Sequence, residues 1–182
     1  MSAAFSSAQL RASLWAGSGV RVHAVIDGRV VPDIAAMLGK ADIAGWDCLQ
    51  RGALSAEAAA RAAYLAELKP QSPFTDWLLD VATPTYPGWG VLSASTQALL
   101  PVREHCRALS EVRMPDGERC RWRWWDPEVV RALLPALLAS QLDEFFALGQ
   151  TIVVPTATDW TWFEMRDGML STDTRMAMPA SR

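Results

Sequence analysis

The sequence predicts an α+β fold in which a small sheet is flanked by helices. Segments with strand-like alternation and segments with helix-like apolar spacing follow one another irregularly, which argues against a strict β-α-β array. The 182 residues, 51% of them hydrophobic and 20% charged, suffice for a buried core. We expect one compact two-lobed unit, with an α/β lobe over residues 1–110 and a hairpin plus short helices over residues 111–182.

The N-terminal segment contains four predicted strands, which are short apolar or alternating runs at 21–26, 46–49, 64–68 and 89–93. The first strand ends at Asp27-Gly28, a strong turn signal. Helices are predicted over 7–16, from Asp33, over 56–63 after the N-cap Ser55, from Ser72-Pro73 to Val81, and around Val102, Cys106 and Leu109. Residues 83–88 hold two prolines and a glycine, so we expect a loop there.

The C-terminal segment opens with a predicted hairpin over residues 112–125. Pro115-Asp116-Gly117 is a turn sequence, since proline fixes φ and glycine tolerates a positive φ. Alternation along the second strand separates its side chains onto two faces. One face carries Cys120, Trp122 and Trp124, and the other carries Arg119, Arg121, Arg123 and Trp125.

Two short helices and two strands are predicted after the hairpin. Asp126 is the expected N-cap of the first helix, with Pro127 at its first position. Pro135 should end or bend this helix, whose buried stripe comprises Val130, Leu133, Leu134 and Leu137. The second helix carries Leu142, Phe145 and Phe146 and ends at Gly149. Strands follow at 151–154 and 160–165, and we expect the polar tail from Ser171 to fray.

Composition and charge disfavour several classes of protein. The net charge of -3 disfavours nucleic-acid binding, which needs Lys and Arg to neutralise phosphates. Cys48, Cys106 and Cys120 form no Cys-x-x-Cys pair, so we predict no disulfide scaffold and no zinc site, which fits a reducing cytoplasm. We find no signal peptide and no apolar run of the roughly 20 residues that span a bilayer, so we expect a cytoplasmic protein without membrane insertion.

A search for catalytic chemistry finds no nucleophile elbow, no phosphate-binding loop and no spaced set of metal ligands. His23 lies within an apolar strand, where a buried structural histidine is the simpler interpretation. His105 neighbours Cys106, but adjacent helical residues point apart and cannot form a local Cys–His dyad. We therefore predict no catalytic, cofactor-binding or metal-binding residue, and a protein that is not an enzyme.

The polar face of the predicted hairpin allows two interpretations. Arg119, Arg121 and Arg123 could hold an acidic partner or nucleic acid. Alternatively, they keep an edge hairpin soluble, with Arg123 paired to a nearby carboxylate. Trp125 lies on the face opposite to the other tryptophans of the strand and is a candidate for partner contact, because tryptophan is common at interface hot spots.

Together these segments resemble the adaptor/chaperone family of type VI secretion. The family pattern is an apolar strand ending in Asp-Gly, a Trp-Gly segment, a Pro-Asp-Gly hairpin, and an aromatic strand that runs into Asp-Pro, Leu-Leu-Pro and Phe-Phe. In this sequence the pattern consists of Asp27-Gly28, Trp89-Gly90, Pro115-Asp116-Gly117, Asp126-Pro127, Leu133-Leu134-Pro135 and Phe145-Phe146. The resemblance covers residues 21–149. It departs from the pattern at Ala147, where the family commonly has glycine.

The resemblance implies a cytoplasmic chaperone that is not an enzyme. Such proteins bind the N-terminal part of a toxic effector and help to load it onto the valine–glycine-repeat spike protein, which is a further candidate partner. The resemblance implies structural roles, as cap, turn and core, for Asp126, Pro127, Leu133, Leu134, Phe145 and Phe146. An immunity protein, which neutralises a cognate toxin by covering its toxic domain, is the alternative function.

Overall fold

The computed structural model describes residues 6–113 and 116–177 and confirms the α+β fold class. The strands are β1 (Arg21–Asp27), β2 (Gly45–Cys48), β3 (Ala63–Leu68), β4 (Gly90–Ser95), β5 (Glu111–Arg113), β6 (Arg119–Arg121), β7 (Thr151–Pro155), β8 (Asp159–Arg166) and β9 (Met169–Met176). The helices are α1 (Ser7–Leu14), α2 (Ile34–Leu38), α3 (Ala56–Ala60), α4 (Pro73–Asp76), α5 (Thr83–Thr85), α6 (Leu99–Leu109), α7 (Pro127–Leu133) and α8 (Ala139–Phe145). No helix within the described ranges is long and apolar enough to cross a bilayer.

Seven strands form one antiparallel sheet in the order β2-β3-β1-β4-β7-β8-β9. β7 pairs with β4, so the three C-terminal strands extend the sheet that the N-terminal strands begin. Strands from both sides of residue 110 therefore share one sheet. β5 and β6 pair only with each other in the described chain and form a separate hairpin.

Helices cover both faces of the sheet. Alternate side chains of the central strands point to opposite sides, and the apolar side chains on each side are buried against helices. In β1, Val22, Ala24 and Ile26 contact one hydrophobic core, whereas Val25 contacts the other. The first core takes apolar side chains from α1, α2 and the helical segment 73–85. The second core takes them from α6, α7 and α8. β1 is thus buried on both faces, which explains its continuous apolar sequence.

The hairpin prediction is wrong in its length. β6 ends at Arg121, so the face assignment of the strand does not continue to Trp125. The chain turns instead, because the indole of Trp124 is buried and donates through Nε1 to the Cys106 carbonyl oxygen at 3.0 Å. Gly117 has φ of 89°, as a turn glycine should. Pro115, the first residue of the predicted turn, lies outside the described residues.

The helix predicted from Ser72 is longer than expected and overlaps the predicted loop. After α4 the chain forms a π-helix (Trp77–Ala82) and continues into α5, so residues 83–85 are helical. Thr83 stabilises this extension because its hydroxyl donates to the Leu78 carbonyl oxygen at 2.9 Å. Pro84 lies within this continuous helical segment, and because proline has no N–H, one carbonyl oxygen of the preceding turn lacks its helical donor.

The expectation of a frayed tail from Ser171 is also wrong for residues 171–177, and residues 178–182 lie outside the described residues. Residues 169–176 form β9 and pair with β8 along its whole length. The hydroxyls of Thr161 and Thr174 lie 3.1 Å apart, and the guanidinium of Arg175 lies 4.4 Å from the centre of the Trp162 ring. These cross-strand contacts order a segment whose own sequence is polar.

The helix after the hairpin follows the local signals in the sequence. Asp126 is the N-cap of α7, Pro127 is its first residue, and Asp126 Oδ1 accepts a hydrogen bond from the Glu128 backbone N–H at 3.1 Å. Pro135 lies in the 3₁₀ turn Leu134–Ala136 that follows the helix. The predicted cap and the predicted end of the helix are therefore both confirmed.

We expect Asp126→Ala to lower the free energy of unfolding by about 0.5–2 kcal/mol, because the first turn of α7 loses its side-chain acceptor. Urea unfolding of both proteins measures the difference. Asp126→Asn serves as the control, since asparagine retains a capping oxygen and should restore most of the lost stability. Equal stability of the alanine variant and the wild type would contradict the capping role.

Candidate functional site

Three segments of the family pattern meet at one end of the central strand β1. The Asp27 backbone N–H donates to the Trp89 carbonyl oxygen at 2.8 Å. The indole Nε1 of Trp125 donates to Asp27 Oδ2 at 3.0 Å, and Nε of Arg123 lies 2.9 Å from the same oxygen. Asp27-Gly28, Trp89-Gly90 and residues 123–126 are therefore neighbours in space, although about 100 residues separate the first from the last.

Asp27 is the centre of this junction, and its side chain is almost completely buried, with the residue 1% exposed. Its second carboxylate oxygen, Oδ1, accepts a hydrogen bond from the Arg29 backbone N–H at 2.8 Å. Arg123 also contacts Asp126, with 3.1 Å between Nη2 and Oδ2. One guanidinium thus bridges the end of β1 and the N-cap of α7, and it fixes the hairpin-to-helix junction against the sheet.

The two glycines of these segments lie where a side chain has no room. A Cβ atom on Gly28 would lie 2.6 Å from the carbonyl oxygens of Ala60 and Ala62. A Cβ atom on Gly90 would lie 1.8 Å from the Val25 carbonyl oxygen, and Gly90 has φ of 148°. Close approach of backbone to backbone therefore requires glycine in both places.

A cleft of about 440 Å³ opens beside this junction. Residues after β1, residues between β2 and α3, the start of β3 and the hairpin with the start of α7 contribute to its walls. Six arginines line it: Arg29, Arg51, Arg61, Arg107, Arg121 and Arg123. Asp27, Glu111 and Asp126 are the carboxylates of the lining, so the cleft carries an excess of positive charge in a chain whose net charge is -3.

Four of these six arginines already contact oxygen atoms of the protein. Arg107 donates to the carbonyl oxygens of Cys48 and Leu49 at 2.8 and 3.2 Å. Arg51 pairs with Glu104 at 2.8 Å. Arg123 contacts two carboxylates, and the exposed Arg61 lies 3.8 Å from Glu57.

The other two arginines, Arg29 and Arg121, are exposed. Within the described part of the chain, neither guanidinium has an ion pair or a hydrogen bond. These two groups are the ones available to a ligand.

The structure separates the four residues that the sequence grouped as candidates for partner binding. Arg121, Arg123 and Trp125 line the cleft, whereas Arg119 is exposed, lies outside the lining and is 4.0 Å from Glu111. Arg123 pairs with a carboxylate, as one of the two sequence interpretations expected, and Trp125 is half-buried.

Four arginines of the cleft were not identified from the sequence. Arg29, Arg51, Arg61 and Arg107 come from separate turns and helices, and their sequence spacing has no pattern that would have grouped them.

Of the remaining residues of the family pattern, Leu134, Phe145 and Phe146 lie beneath the junction in the second core, whereas Leu133 does not belong to it. Leu134, Phe145 and Phe146 are buried, whereas Leu133 is half-buried. The Phe145 ring packs edge-on against Trp124, with 5.6 Å between the ring centres and an interplanar angle of 88°. These side chains support the hairpin from below and have no polar group to offer a ligand.

The histidines and the buried cysteine lie apart from the cleft lining. His23 is fully buried, and burial lowers its pKa, although the Glu67 carboxylate 3.6 Å away acts in the opposite direction. His105 Nε2 donates to the Phe145 carbonyl oxygen at 2.8 Å. Burial raises the pKa of the Cys106 thiol to about 12. No group of three or more His, Cys, Asp or Glu residues in the described ranges is placed to hold a metal ion.

Fold and site together define an α+β protein with a helix-covered antiparallel sheet and an arginine-lined cleft at the end of its central strand. Residues 22–144, which are 123 of the 182 residues, match the family described as domain of unknown function DUF4123, and the chain belongs to this family. The matched range includes every residue that lines the cleft. No curated protein and no solved structure matches the chain.

Proposed function

We propose that this protein is a cytoplasmic adaptor that binds the N-terminal region of a type VI secretion effector and helps to load it onto the valine–glycine-repeat spike protein. The observation that carries the proposal is the junction of Asp27, Arg123, Trp125 and Asp126. There the segments that resemble the adaptor/chaperone family build one wall of a charged, tryptophan-containing cleft. A cleft of this composition suits the recognition of a polypeptide.

A chaperone of this kind needs a stable frame and a surface that binds reversibly. The two cores and the antiparallel sheet supply the frame. The free arginines and the half-buried tryptophans of the cleft supply polar and apolar contacts of the type that dominate interface energies. The effector segment is expected to bury apolar surface on the adaptor until it is loaded, which would keep the segment from aggregating.

Co-expression with the products of neighbouring genes tests this function. We expect the protein to form a stable complex with the N-terminal segment of one effector encoded beside it, and we expect that effector to be scarce or insoluble without it. The measurement is co-purification of full-length and truncated neighbours with the tagged protein.

Two results would contradict the adaptor function. Binding confined to the C-terminal toxic domain of the neighbour, together with loss of its toxicity, would identify an immunity protein instead. An absence of binding to any neighbouring product would also exclude an effector-specific adaptor.

A further inference from the structure

We infer that the arginine-lined cleft binds an acidic stretch of the partner polypeptide, whose carboxylates pair with Arg29 and Arg121 while an apolar side chain packs against Trp122 and Trp125. This inference rests on the proposed function, since it names the chemistry of the effector segment that the adaptor would recognise. It concerns a defined cleft, and it can therefore fail while the adaptor function stands.

Two of the six arginines in the cleft are available to pair with an acidic ligand. Arg51, Arg61, Arg107 and Arg123 contact protein oxygens, and Arg29 and Arg121 are the guanidiniums left over. Arg29 follows the buried Asp27, which accepts a hydrogen bond from the Arg29 backbone and holds this part of the chain in place. Arg121 ends β6, opposite Glu111 of β5. Both residues line the same cleft, so two guanidiniums without a partner among the described residues can pair with the carboxylates of one ligand there.

The two tryptophans of the cleft, Trp122 and Trp125, offer apolar surface to a ligand. The indole N–H of Trp122 donates to the Leu109 carbonyl oxygen, and that of Trp125 donates to Asp27. Both side chains are half-buried and line the cleft. Their polar atoms are thus already paired inside the protein, and what they present to a ligand is ring surface. An apolar or aromatic side chain next to the acidic groups fits this surface.

The carboxylates of the cleft favour a peptide over nucleic acid. Glu111 is exposed and Asp126 is half-buried, and both belong to the lining. A closely spaced row of phosphates would bring negative charge next to these carboxylates as well as next to the arginines. A peptide can instead place amide N–H donors opposite Glu111 and Asp126 and its acidic side chains at Arg29 and Arg121. Two free cations would also neutralise too few phosphates for tight binding in a chain of net charge -3. A mixed cleft of this kind suits a polymer that carries both acidic groups and hydrogen-bond donors.

A direct test uses the full chain and a fluorescein-labelled peptide of glutamates around one central phenylalanine. We expect saturable binding by fluorescence anisotropy, and binding weakened by at least about tenfold in the Arg29→Ser/Arg121→Ser double variant. Both side chains are exposed and have no partner among the described residues, so the variant should fold normally, which circular dichroism checks. Trp125→Ser is unsuitable as a probe because it would also remove a hydrogen bond of the buried Asp27.

Arg119→Ser is the matched control, because Arg119 lies two residues from Arg121 on the same strand but outside the cleft. We expect its affinity for the probe to equal that of the wild type. No saturable binding, an unchanged affinity in the double variant, or an equal loss in Arg119→Ser would overturn the inference. Displacement of the probe by a single-stranded oligonucleotide at the same or lower concentration would overturn it in favour of nucleic acid.

The same variants separate this inference from the proposed function. If the double variant co-purifies with the effector segment as well as the wild type does, the acidic-peptide site is wrong as the effector site and the adaptor function stands. If the wild type binds no neighbouring product, the adaptor function is wrong, and the peptide titration still decides what the cleft binds. Loss of the effector complex in the double variant but not in Arg119→Ser supports both.

Discussion

Gly90→Ala is expected to destabilise the protein by about 2–6 kcal/mol, a large part of the roughly 5–15 kcal/mol that holds a typical domain together. Two effects add. The new Cβ would lie 1.8 Å from the Val25 carbonyl oxygen, which belongs to the neighbouring central strand and cannot move without breaking the sheet. In addition, Gly90 has φ of 148°, a conformation that L-residues with side chains rarely adopt.

Thermal and urea unfolding measure this effect, with Gly168→Ala as the matched control. Gly168 also has a positive φ, of 75°, but a Cβ there meets no atom within 4 Å. The free energy of unfolding of the control should therefore fall by only about 1–2 kcal/mol, the cost of the left-handed backbone conformation for alanine. If the two variants lose equal stability, the close contact between β1 and β4 is not what requires glycine at position 90.

Asp27→Ala should lower the free energy of unfolding by about 2–5 kcal/mol. The substitution leaves the indole N–H of Trp125 without its acceptor and removes one of the two carboxylates that neutralise Arg123. The loss falls short of that of a wholly buried ion pair, because the Arg123 side chain is 35% exposed and keeps its contact with Asp126. Asp27→Asn should lose less, since the amide oxygen can still accept from the indole.

A double-mutant cycle tests whether the Asp27–Arg123 contact causes the effect. The single variants Asp27→Ala and Arg123→Met and their combination should be non-additive by about 0.5–3 kcal/mol. Glu57→Ala is the control for an exposed ion pair, Glu57 with Arg61, and should change stability by less than about 0.5 kcal/mol. Strict additivity of the cycle would show that the junction is held by other contacts.

The parts of the fold that were predicted correctly depend on interactions between residues close in sequence. Ser55, Ser72 and Asp126 each accept a hydrogen bond from a backbone N–H two or three residues further on, so short segments were enough to identify these caps. Apart from β5 and β6 of the hairpin, each predicted strand begins and ends within two residues of the observed strand. The three wrong predictions concern segments whose state depends on contacts outside the segment itself.

β9 illustrates that dependence. Its residues are polar and alternate poorly, so nothing within residues 169–176 identifies them as a strand. They form one because β8 offers a complete set of backbone partners. In the same way, Trp124 leaves its predicted strand because a core position is available beneath Cys106 of α6. Tertiary packing overrode local preference in both places.

The sequence by itself determined the local elements and the residue types of the junction: the turn after the first strand, the glycines, the arginine and tryptophan pair, and the aspartate cap with its proline. Only the tertiary structure decided that these pieces meet and that Arg29, Arg51, Arg61 and Arg107 join them around one cleft. The physical reason is the distance in sequence between the residues that interact. Caps and turns are set by hydrogen bonds across a few residues, whereas the cleft depends on strand pairing and core packing between segments up to about 100 residues apart.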